Sequence, residues 1–87
     1  MQYTWFVYII RCENDSLYTG CTNHLIRRWN KHVSGNGAKY LRAHKPEKVV
    51  FVEPHPDQSH ACKREYEIKQ LSKKQKEALV KDLISAK

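Results

Sequence analysis

Tyr3 to Arg11, YTWFVYIIR, is so rich in aromatic and β-branched residues that it reads as a strand. Glu13-Asn14-Asp15-Ser16 follows as a cluster of turn formers. Residues 17–21, LYTGC, resume the strand pattern, so the first quarter of the chain reads as a hairpin with a short loop. A third strand is expected at Lys48–Glu53, KVVFVE, whose near-continuous apolar run suggests a central, two-sided position. Pro54 and Pro56 are expected to close it.

Helices fill the rest. Asn23 is a plausible N-cap for a helix to about Val33, with Leu25, Ile26, Trp29 and Val33 as its apolar stripe. Ser34-Gly35-Asn36-Gly37 ends it. The basic segment after it has room for one short helical turn. Asp57 can cap a helix to about Leu71. Ser72 with Gln75 fits a capping box for a last helix to about Ile84, with Leu79, Val80, Leu83 and Ile84 on its apolar face. The order β-β-α-β-α-α in 87 residues implies an α+β fold, a small sheet covered by helices, in a single domain spanning residues 1–87.

Charge and cysteines narrow the function. Sixteen Lys and Arg against nine Asp and Glu give a net charge of +7, an electrostatic footprint suited to a polyanion. The basic residues do not gather on one amphipathic helix, which favours nucleic acid over a membrane surface. No segment approaches the ~20 apolar residues of a membrane span. The N-terminus reads as a strand rather than a secretion signal. Three cysteines, an odd number, suggest reduced thiols and a cytoplasmic location. No Cys/His spacing resembles a zinc site, and the five scattered histidines read mostly as surface residues.

One residue breaks the helical pattern. With Asp57 to Leu71 projected at roughly 100° per residue, Glu65 falls on the apolar stripe of Ala61, Ile68 and Leu71. A carboxylate there must be paired, protonated or bound to a cation. Tyr18 and Gly20 share a strand face, where the glycine leaves space beside the phenol. Arg28 and His32 are four apart and flank the apolar stripe of the first helix, leaning toward the sheet. Taken singly, each has a plainer explanation: a packed strand tyrosine, a solvated arginine, a stripe-edge carboxylate paired with lysine.

Taken in order, they carry a resemblance. Val7-Tyr8-Ile9, Tyr18-Thr19-Gly20, Asn23…Arg28-Trp29…His32 and Ala61-Cys62-Lys63-Arg64-Glu65…Ile68-Lys69 resemble the motifs of the GIY-YIG nuclease family, in its small stand-alone bacterial form. The resemblance covers nearly the whole chain. It implies a three-stranded antiparallel sheet flanked by helices, and metal-dependent hydrolysis of DNA phosphodiesters. It implies catalytic roles for Tyr18, Tyr8, Arg28 and His32, with Glu65 as the metal ligand. Three positions depart from the pattern: Phe6 stands where the family has glycine, Thr19 replaces isoleucine, and Cys21 occupies a position that is lysine in some members.

The chemistry is coherent with those groups. Arginine offers a planar fork to phosphoryl charge. Mg²⁺ or Mn²⁺ can be held through a single carboxylate plus waters and substrate phosphate. Tyr18 is the expected general base, with Tyr8 and His32 as orienters or proton relays. Lys39, Arg42 and Lys45 are the expected phosphate contacts, which give affinity without sequence readout. DNA is the expected partner; RNA and the oligomeric state stay open. The rival readings are a nucleic-acid-binding module without catalysis and a protein-interaction domain whose charge serves solubility.

Overall fold

The computed structural model describes the backbone of residues 4–85 and the side chains of residues 4–81. Tyr3 and the side chains of Leu83 and Ile84, all assigned roles from the sequence, lie outside that description. Three strands, β1 (Trp5–Cys12), β2 (Leu17–Thr22) and β3 (Pro46–His55), form one antiparallel sheet in the order β2-β1-β3. Four helices cover it: α1 (Leu25–Val33), α2 (Lys39–Ala43), α3 (Gln58–Lys69) and α4 (Lys73–Ser85). The short turn allowed after Gly37 is thus the separate helix α2. Among the described residues no helix is long and apolar enough to cross a membrane.

The hairpin forms where the turn residues sit. The Cys12 N–H donates to the Ser16 carbonyl and the Asp15 N–H to the Cys12 carbonyl, both at 2.9 Å, with Asp15 at φ 69°. Acidic and amide side chains tolerate that left-handed geometry better than most. The central strand, however, is β1 and not β3. All of Val7, Tyr8, Ile9 and Ile10 are buried, whereas β3 fully buries only Phe51. An edge position explains why β3 runs on through Pro54: proline lacks an N–H, and an edge strand has one side that needs no ladder bond. The apolar run KVVFVE reflects a bulge in place of two-sided burial. Ile9 pairs with Phe51 but Ile10 pairs with Val49, so Val50 is extra. Val50 then joins Phe51 in packing under α3 and α4, while Val49 stays half in solvent on the other face.

Strand alternation sorts the core into two layers. Val7 and Ile9 meet Phe51, Ala61, Ile68 and Val80 beneath α3 and α4. Tyr8, Ile10 and Cys12 meet Leu41, with Tyr18, Leu25 and Trp29, beneath α1 and α2. The sheet is therefore the middle of three layers. Caps fix the helices much as expected. Asp57 accepts from the His60 N–H at 2.9 Å, and Ser72 and Gln75 exchange the two bonds of a capping box at 3.2 and 2.9 Å. For α1 the cap is His24, one residue later than expected, whose Nδ1 accepts from the Arg27 N–H at 3.2 Å. At its far end Gly35 at φ +84° lets two N–H groups return to the His32 and Lys31 carbonyls, a Schellman closure.

One ion pair fastens α4 to the sheet. Arg11 on β1 donates to both oxygens of Glu77 at 2.9 and 2.7 Å, the bidentate geometry that arginine favours. Arg11 and Lys73 hold the Glu77 carboxyl down to about 2.

Ile68 touches core on every side, whereas Ile26 is 72% exposed. Ile68→Ala is expected to cost about 2–5 kcal/mol of stability, and Ile26→Ala to stay within about 0.5 kcal/mol. Urea unfolding of both variants checks the contrast.

Candidate active site

Tyr8 and His32 meet at the centre of the α1/α2 layer. The Tyr8 hydroxyl and His32 Nε2 lie 2.9 Å apart, and the two residues are 2% and 1% exposed. Two glycines make this possible. Gly20 lies opposite Tyr8 in the ladder, and a Cβ on it would stand 2.5 Å from the phenolic oxygen. The space that the sequence reserves beside the tyrosines is thus filled by the Tyr8 ring and is no opening for a ligand. A Cβ on Gly37 would stand 2.2 Å from His32 Nδ1. Glycine at these positions reflects close approach of a side chain to backbone.

The backbone also sets the tautomer. The Ala38 N–H donates to His32 Nδ1 at 3.4 Å. With Nδ1 accepting, the proton of neutral imidazole sits on Nε2 and points at the Tyr8 oxygen. Burial, assisted by the nearby Arg28 charge, lowers His32 to about 4, so the ring is neutral at physiological pH. Burial pushes the Tyr8 phenol up to about 12. The Arg28 guanidinium opposes that shift, and the neighbouring Tyr18 adds to it.

Helix α1 carries its polar groups farther inward than the sequence suggests. Leu25, Arg28, Trp29 and His32, at i, i+3, i+4 and i+7, form the stripe that faces the sheet. Ile26 and Val33, expected there, are 72% and 56% exposed. The expectation fails because it assigned the stripe by oiliness alone, when a paired histidine fills core space equally well. Arg28 sits where this layer opens. Its Nε is buried and has no protein partner among the described residues. On one side it borders a void of about 10 Å³ with Tyr8, Trp29 and His32. On the other it borders an open groove with Thr22, Asn23, His24, Arg27 and Lys31. A buried guanidinium donor without an acceptor, beside a groove lined by two more cations, is a ready anion contact.

Tyr18 stands edge-on to His32, with ring centres 5.7 Å apart. Its outer face is stacked under Tyr40 of α2 at 6.1 Å and 19°. Tyr40 was not anticipated, and Lys69 only as a member of the α3 motif. Together with Leu17, Tyr18, Thr19 and Lys76 they line a hollow of about 240 Å³ over the open edge of β2. For Tyr40 the available signal was its place in the basic segment, an aromatic among Lys39, Arg42 and Lys45, a pattern that suits nucleic-acid contact. Of that trio, Arg42 and Lys45 are exposed along a groove that starts at His32. Lys39 is exposed at the first residue of α2.

Glu65 occupies the expected stripe position between Ala61 and Ile68, but on the other face of the sheet from the phenols. Its side chain is 20% exposed and pairs with Lys69 at 2.8 Å. Cys21, on the α3-facing side of β2, and Cys62 lie beside it. Burial, then the adjoining Glu65, holds the Cys21 thiol well above its ordinary range. The two faces communicate around β2. The Glu65 charge reaches Tyr8, and the Lys69 charge reaches Tyr18. A magnesium-class ion fits this acid: one accessible carboxylate oxygen suffices when waters and a phosphate complete the shell. The two thiols are not magnesium donors.

The GIY-YIG catalytic-domain model matches residues 4–78. The UPF0213 protein DP2720 of Desulfotalea psychrophila is 49% identical over 78 residues, 88% of this chain and 71% of its own length. The UPF0213 protein VC_A0739 of Vibrio cholerae is 52% identical over 77 residues, 87% of this chain and 76% of its own length. UPF0213 protein YhbQ of Escherichia coli K12 is 49% identical over 76 residues, 87% of this chain and 76% of its own length. The solution NMR structure of the UPF0213 protein BH0048 from Bacillus halodurans superposes with a TM-score of 0.58 at 44% identity, covering 88% of this chain and 82% of that one.

The His32 environment makes a pH prediction. As pH falls below the ordinary value of 6.5, the unfolded chain takes up a proton that folded His32 refuses until about 4. The unfolded state therefore binds more protons across that window, and stability rises with pH within it. Urea midpoints between pH 4 and 7 should lose part of this slope in a folded His32→Gln variant. An unchanged slope would assign the titration elsewhere.

Proposed function

The chain belongs to the GIY-YIG family of nucleases, and from that premise we propose that it is a metal-dependent endonuclease cleaving DNA phosphodiesters with little sequence preference. The observation that carries this reading is the orphaned Arg28 Nε beside the Tyr8–His32 pair, with Glu65 just around the β2 edge. A protein that only holds nucleic acid has no need of a carboxylate there.

In this reading Arg28 donates to a non-bridging oxygen of the scissile phosphate, where charge grows as water attacks. Arg27 and Lys31 hold the flanking backbone in the same groove. Glu65 would hold the divalent cation, giving up its bond to Lys69, and the cation supplies charge neutralisation at phosphate and leaving oxygen. Lys69 lines the same hollow as Tyr18 and offers it a neighbouring cation. Tyr18, the less buried phenol, takes the proton of the attacking water. Tyr8 and neutral His32 fix its surroundings, and Tyr40 stacks on its outer face.

One observation favours a second assignment of the base. The Tyr8 oxygen accepts from His32 Nε2 and has Arg28 beside it, two groups that oppose the burial pushing its phenol up. The phenylalanine variants separate the two. The variant that removes the base should lose about 10²–10⁴-fold in single-turnover cleavage, the usual worth of general base catalysis. The other should lose distinctly less.

Phosphate-directed binding with few base contacts implies low sequence preference and steep salt dependence. The proposed contacts are Lys39, Arg42 and Lys45, with DNA as substrate and RNA as the comparison. Unpaired cysteines suit a reducing cytoplasm as the place of action. The decisive experiment is a cleavage panel across single-stranded, branched and duplex DNA and RNA, with Mg²⁺, Mn²⁺ or EDTA. Metal-dependent products absent from Glu65→Gln are expected. Binding without cleavage in every lane would leave the non-catalytic module instead. Replacing Arg42 or Lys45 by Ala should lower the log–log salt slope of binding by about one unit each.

A further inference from the structure

Cys21, Cys62 and Glu65 are brought together by two different elements. Cys62 and Glu65 are three apart on α3, one turn of the same helical side. Cys21 comes from β2, forty-one residues away from Cys62 in sequence. The two sulfurs stand 3.7 Å apart, and all three donor atoms lie within 4.8 Å of one another. Metal–sulfur bonds of about 2.3 Å at tetrahedral angles put two sulfurs about 3.8 Å apart. A disulfide instead needs about 2.05 Å. The pair is therefore spaced as two corners of a tetrahedral shell.

We propose that Cys21, Cys62 and Glu65 form a binding site for a thiophilic divalent cation of the zinc class, with a fourth position open to water. Two thiolates select such an ion over magnesium, which prefers oxygen donors throughout. Three protein ligands with one exchangeable position is an arrangement zinc adopts readily. Two thiolates and a carboxylate carry three negative charges against two positive ones. Lys69, 2.8 Å from Glu65, offsets the remainder, so the lysine stays while the soft ion binds. Cys62 is exposed at the protein surface and Cys21 only partly covered, so the site can be reached from solvent. The effect on catalysis rests on the proposed function: a soft ion on Glu65 removes the carboxylate that the magnesium-class ion needs, and cleavage stops. Cation binding itself does not depend on that reading.

The test uses the whole protein, metal-free and kept reduced with a phosphine. Cobalt(II) is the optical probe. A near-ultraviolet sulfur-to-cobalt charge-transfer band and visible bands of tetrahedral intensity are expected, bleached by one equivalent of Zn²⁺. Cys62→Ser should weaken Zn²⁺ binding, followed by competition with a chelating dye, by at least about tenfold, since even outer partners of a metal ligand are worth roughly 10–100-fold. Cys21→Ser, checked for folding by circular dichroism, should do the same. Absence of the charge-transfer band in the reduced wild type, or equal Zn²⁺ affinity in Cys62→Ser, overturns the proposal. In the cleavage arm Zn²⁺ should inhibit Mg²⁺-supported turnover of wild type and spare Cys62→Ser. Equal inhibition of both overturns the competition at Glu65. A wild type that shows the cobalt band but cleaves nothing with Mg²⁺ sinks the nuclease reading and leaves the cation site standing.

Discussion

The hydrogen bond between Tyr8 and His32 is the contact on which the face beneath α1 and α2 depends. It joins the middle of the central strand to the buried side of α1, and it needs two glycines to exist. One lies in β2 and one just before α2, so three elements and a loop agree on a single side-chain pair. An unpaired phenol and imidazole at that depth would each leave a polar group without a partner, which is costly in a dry interior. The bond therefore fixes the rotation of α1 about its own axis, and that rotation carries Arg28 to the mouth of the groove. Tyr18 and Tyr40 then close over the result.

Much of the fold was legible because its signals are local. The hairpin turn, the Asp57 cap, the Ser72–Gln75 box and the glycine closing α1 each act within a few residues, and each formed. What misled was information that only tertiary packing supplies. An apolar run made β3 look central, yet a bulge and its prolines suit it to an edge. In α1, hydrophobicity favoured Ile26 and Val33 over Arg28 and His32, whereas the sheet selected the stripe at the right spacing regardless of polarity.

The layout of the candidate site was legible in a similar measure. Ordered tyrosines, Arg28, His32 and Glu65 could be read from spacing and resemblance, and the phenols, guanidinium and imidazole do share one layer. That Glu65 belongs to the opposite layer could not be read, because which face of the sheet α3 covers is settled only by tertiary packing. What Lys69 and Tyr40 touch escaped notice for a related reason. Each matters through a neighbour in space: Glu65 for the lysine, Tyr18 for the aromatic ring.

The strand that stands between acid and phenols has a further meaning. Each half of the candidate site rests on its own hydrophobic layer, one under α3 and α4, the other under α1 and α2. A lesion among Ala61, Ile68 and Val80 strikes the layer beneath the carboxylate first and reaches the guanidinium groove only through the β1 strand that both layers share. In the proposed reading, the acid on one layer and the guanidinium on the other can be lost to drift one at a time.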